Sequence, residues 1–270
     1  MDLPEKIDLS AIARAQQREM GRQLTCYLQR QCSSVLYCQP ADVDALKDFM
    51  PPVIQQADRQ GYGSDALLTF FIVSSFLLGF NWLQDPAFTP LKMLLAKNND
   101  SHSWLNYCRH ERQKLNTLLP TLHDYTHIVL HMPVENVSPN AVLQHWQVIC
   151  ELRGIDALLL PELYFCYEAD FRQFSGLPAN TAKREQALLH SGLSLETVSD
   201  LSKDLTFRQR HQLLTHLHLA LSFGRYYRTS PLHKLLHQAL DTLEMERVMV
   251  LTEFLRMHQQ RLKENIKDGV

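Results

Sequence analysis

Apolar residues recur along the chain in runs of helical period, and no stretch alternates apolar and polar positions between hairpin turns. That is the pattern of an all-α protein. It predicts helices over 9–33, 42–59, 65–79, 90–97, 101–131 with a break or kink at Pro120, 139–153, 160–174, 179–191, 206–223 and 231–265. The punctuation agrees. Gly79, Gly154, Gly176, Gly192 and Gly224 each follow an apolar-periodic run, where a helix can close in a left-handed turn. Ser64, Thr89, Ser138, Thr206 and Ser230 suit N-caps, with Pro90, Pro139 and Pro231 at the next position, and Thr206 with Gln209 fits a capping box.

The most apolar stretch, 66–84, carries no charge between Asp65 and Asp85 and approaches membrane-spanning length. Thr69, Ser74, Ser75 and Asn81, a helix-ending Gly79 and the lack of flanking basic clusters favour a buried central helix over about 65–79. No linker divides the chain, so the expectation is one helical domain over 1–270, with 131–140 as the one place for a subdivision. The halves also share a likeness. Leu67-Leu68-Thr69, Gly79 and Thr89-Pro90-Leu91 are echoed by Leu213-Leu214-Thr215, Gly224 and Ser230-Pro231-Leu232, with loops of differing length. A two-fold internal helical repeat is one reading; a shared grammar of cap, proline and apolar face is the other.

Composition narrows the function classes. At 270 residues, with 45% hydrophobic and 21% charged, the chain can bury a sizeable core. A formal charge of −2 lacks the basic excess that phosphate backbones demand, which argues against nucleic acid as partner. The six cysteines form no C-x-x-C pair and read as free thiols, and the charged N-terminus shows no secretory h-region. A cytoplasmic protein without a cofactor or membrane insertion is the expectation.

Candidate chemistry is sparse. His123, His127 and His131 stand at four-residue spacing, but each step drifts about 40° and climbs about 6 Å, so all three cannot share one ion. Core or surface histidines are the simpler account in a chain with thirteen of them. His123-Asp124 also matches the dipeptide of the helical HD phosphohydrolases, so a metal site using His123, Asp124 and His127 is an alternative. Arg225, Tyr226, Tyr227 and Arg228 set two cations beside two aromatics at a helix end, a combination that grips an acidic partner or closes a core. No P-loop, nucleophile elbow, dinucleotide fingerprint or H-E-x-x-H occurs, and no catalytic residue is assigned.

The first third carries a resemblance. Ala15-Gln16-Gln17-Arg18-Glu19 through Leu28-Gln29-Arg30, then Ala57-Asp58-Arg59-Gln60-Gly61-Tyr62-Gly63, then Leu78-Gly79-Phe80 and Asp85-Pro86-Ala87-Phe88 resemble helical accessory proteins encoded near spike and toxin genes of bacterial type VI secretion systems. The resemblance implies a non-enzymatic adaptor or chaperone that binds a toxin effector or spike component. An immunity protein that neutralises a cognate toxin is the alternative nearest to it. Without the family, the same residues read as structure: Gly79 ends the helix, Phe80 and Trp82 cover its open end, and Asp85-Pro86 turns the chain.

Overall fold

The computed structural model describes residues 9–32, 44–63, 65–97, 101–180 and 200–267, and among these there are helices and no strand. In chain order the helices are α1 (Leu9–Gln31), α2 (Ala45–Arg59), α3 (Asp65–Leu78), α4 (Thr89–Lys97), α5 (Ser101–Leu130), α6 (Pro139–Arg153), α7 (Leu160–Phe174), α8 (Phe207–Phe223), α9 (Lys234–Leu240) and α10 (Glu244–Lys267). The helix expected over 179–191, Gly192 and the Ser64 cap fall largely or wholly outside the described residues; 179 and 180 themselves are not helical.

Local chemistry sets most boundaries as the sequence implies. Ser138 Oγ accepts the Ala141 N–H, and Thr206 makes both arms of its capping box with Gln209. Replacing Thr206 with Ala is expected to cost about 1 kcal/mol, read as a lowered urea midpoint with unchanged m-value. Thr89 is no cap: it lies inside the helical region, and the capping carboxylate upstream is Asp85, which accepts the Ala87 N–H at 3.0 Å. α5 runs through Pro120 without a break.

One expected element divides. The helix anticipated over 231–265 is a 3-10 turn at Pro231–His233, then α9, then a break at 241–243, then α10. At the break Thr242 turns its hydroxyl back onto the Ala239 carbonyl (2.5 Å), and the carboxylate of Glu246 follows in the first turn of α10, where it favours the positive end of a helix dipole.

α3 is buried on every side from Phe70 to Leu78, so the uncharged stretch is an interior helix. Among the described residues no helix is long and apolar enough to cross a membrane. α3 centres one hydrophobic cluster, built mainly from residues 24–108, while a second gathers residues from Leu115 to Leu262 around Trp146, Tyr164 and Leu217. The two meet along α5, which packs on α3, α6, α8 and α10. The change of cluster therefore falls inside α5, between Cys108 and Leu115, and not at 131–140.

The likeness between halves is closer than the sequence match suggests, once its register is corrected. Gly79 and Gly224, Trp82 and Tyr227, Pro86 and Pro231, and the starts of α4 and α9 are each 145 positions apart, so the loops have equal length. The match through Thr89-Pro90 misplaces the turn, because the prolines that open it are Pro86 and Pro231. Both glycines hold positive φ, 114° and 87°, a conformation strained for any other residue. The packing is reciprocal: the 86–88 turn lies on α7, and the 231–233 turn lies on α2. Among the described residues Leu232 is accordingly the one second-half residue in the α3 cluster, and Ala87 packs against the other.

Candidate functional site

The two corresponding loops touch through a polar clasp. Asp85, 2% exposed, accepts Tyr167 Oη and Ala87 N–H at Oδ1 (both 3.0 Å) and the Arg225 N–H at Oδ2 (3.2 Å). Burial pushes the Asp85 carboxyl up, and these three donors, with the Arg225 charge, pull it back. Arg225 itself grips Asp170 with two nitrogens (2.6 and 2.9 Å) and donates to the Gln84 carbonyl (2.9 Å), while Tyr226 Oη donates to Gln84 Oε1. Tyr227 is fully buried, its hydroxyl 2.8 Å from His216 Nδ1. Of the four residues proposed from the sequence to bind a partner, Arg225 and Tyr226 thus join the loops, Tyr227 is buried against α8, and Arg228 alone is exposed.

The histidines also part company. His123 is 2% exposed and shares a hydrogen bond with His258 of α10 (Nε2 to Nδ1, 2.8 Å) against Phe223. Asp124 is exposed and accepts Gln259 Nε2 (2.8 Å), and His127 stacks on His131 at the surface. The three residues of the metal alternative do not converge: His123 is committed to His258 in the interior, Asp124, one position on, turns to solvent, and His127 is stacked on His131. Among the described residues no three His, Cys, Asp or Glu side chains gather where they could hold a metal. The five described cysteines, Cys26, Cys32, Cys108, Cys150 and Cys166, are free thiols. Burial pushes the Cys108 thiol up to about 12, so it is no nucleophile at neutral pH.

A groove of about 900 Å³ opens where α7, α8, α9 and α10 meet. Phe171, Leu219, Leu240 and Leu251 form its apolar floor. Three guanidinium groups, from Arg208, Arg228 and Arg247, line it against the single carboxylate of Asp241. Arg228 lies over the half-exposed ring of Phe174 (5.3 Å), which holds the cation at the mouth. Arg247 donates one nitrogen to the Thr242 carbonyl (3.2 Å), and its Nε has no partner. The break at 241–243 places both Asp241 and Arg247 on this wall. Sequence reasoning reached Arg228 and missed the rest. The available signal was a polar stripe on α8, Arg208, His211, Gln212 and Thr215, at helical spacing before buried Leu219.

Set against protein-family models, curated proteins and solved structures, the chain matches none. Fold and groove together define an all-α protein of two corresponding helical units with a basic, apolar-floored groove on the second.

Proposed function

We propose that the chain is a non-enzymatic protein-binding accessory factor, an adaptor or chaperone. It engages a toxin effector or spike component of a type VI secretion system in the cytoplasm, and the groove takes an acidic, amphipathic segment of that partner. The observation that carries the reading is the groove's charge: three arginines against one aspartate in a chain whose overall charge is negative. Its volume suits several side chains, and arginine beside aromatic rings is the composition that concentrates binding energy at interfaces. The resemblance of the first third to secretion accessory proteins supports the identity of the partner.

The test compares tagged wild type with an Arg208→Glu/Arg228→Glu double variant, both side chains being exposed. Purified from the native host, the wild type retains a toxin or spike protein, and the variant binds it at least about tenfold more weakly at unchanged melting temperature. Equal retention by both proteins removes the groove from the reading, and a wild type that retains no secretion component removes the reading itself. Protection of cells that express the toxin, without any need for the protein in delivery, identifies an immunity protein instead.

A further inference from the structure

We propose that a cavity between the two helical units is a built site for one small monovalent anion of halide size. The cavity measures about 20 Å³, above the roughly 10–15 Å³ that one water requires and too small for phosphate or sulfate. It sits where the units face each other. Leu78, Gly79, Asp85, Ala87 and Phe88 line it from the first, and the residues 145 positions on, Phe223, Gly224, Ser230, Leu232 and His233, line it from the second.

The correspondence is broken by charge. Asp85 already accepts three hydrogen bonds, and its counterpart is Ser230, 1% exposed, whose hydroxyl has no partner. The counterpart of Phe88 is His233, 3% exposed, whose Nδ1 has no partner and is a donor in one neutral tautomer. Two guanidinium groups, Arg112 and Arg153, close the wall, each 8% exposed.

Arg153 is the informative one. Two other buried arginines are tied down: Arg172 by Asp204 and carbonyls, Arg210 by the carbonyls of Val137 and Leu205 at 2.7 and 2.6 Å. Among the described residues Arg153 has no such hydrogen bond; burial opposes its charge, and only through-space fields, those of Glu111, Tyr167, Asp85 and Cys150, favour it. A guanidinium held in low dielectric without an acceptor is costly. An anion accepting from Arg153, Ser230 Oγ and His233 Nδ1 satisfies all three groups at once and joins the two units through their interior. A water can accept only part of that, and carries no charge.

The full chain is melted at pH 7.5 and fixed ionic strength in sodium chloride or bromide and in sodium gluconate, whose anion is too large to enter. Halide is expected to raise the melting temperature saturably, by about 3–5 °C at tenfold excess over its Kd. The response is lost in Arg153→Met, weakened in Ser230→Ala, and retained in Arg256→Gln, which alters an exposed cation. If Arg153→Met fails to fold, Ser230→Ala decides. Bromide-soaked crystals should show anomalous density beside Arg153. Melting that is identical in halide and gluconate, or a halide response unchanged in the cavity variants, overturns the proposal in favour of a buried water.

Discussion

Acid is expected to unfold this protein well before most of its carboxylates titrate. His216, His218 and His233 are held down to about 3, and His123 well below its ordinary value, first because burial penalises the charged imidazole. Neighbouring basic groups add to this: the guanidinium of Arg228 for His216 and of Arg112 for His233, and a second imidazole, His145 for His218 and His258 for His123. The folded pKa lies below the unfolded one, so only the unfolded chain takes up protons as pH falls through about 6.5. Stability is then full above that value and declines below it. At pH 5 each imidazole costs up to about 2 kcal/mol, and four together approach the net stability of a whole domain. Asp85 and Glu168, raised by burial, act in the opposite sense. Urea midpoints measured from about pH 7.5 to about pH 5 should fall steeply below 6.5. A profile flat to pH 5 would show that folding leaves these imidazoles as basic as in the open chain.

The second large effect belongs to Arg172. It is 2% exposed, pairs with buried Glu168, takes Asp204 with two nitrogens (3.1 and 2.8 Å) and donates to the carbonyls of Leu201 and Pro178. Burial opposes its charge, but Asp204 and Glu168 more than restore it. Arg172→Ala strands the Glu168 carboxylate in the interior with Asn180 as its remaining donor, and should cost about 3–5 kcal/mol. The double variant Arg172→Met/Glu168→Gln removes both charges and should recover much of that loss. A single-variant cost under about 1 kcal/mol, by denaturant titration, would mean that water reaches the pair freely.

Much of the fold was legible because helix ends are written in local chemistry. Ser138, the Thr206–Gln209 box and Gly79 act within a few residues of themselves, and the structure uses each as the sequence implies. The break at 241–243 was not legible in the same way. It has no glycine or proline, and its signal was Thr242 before two first-turn glutamates inside an otherwise continuous apolar period. That omission hid the groove, since an unbroken helix would carry Arg247 away from Asp241. Arg225, Tyr226 and Tyr227 looked available because cation-aromatic clusters serve surfaces and interiors alike; only the partners supplied by Asp170, Gln84 and His216, distant in sequence, decide between them. The clasp at Asp85 was missed for a related reason, since a local turn-forming role already accounted for an Asp-Pro pair.

The reciprocal turns bear on how the chain is made. α1, α2 and α3 emerge from the ribosome first, yet Leu232, which completes their cluster, follows nearly the whole polypeptide. The early half must wait with an apolar vacancy on α2, and the late half can settle only onto a neighbour that is itself unfinished. Such long-range closure slows folding and leaves sticky surface open meanwhile.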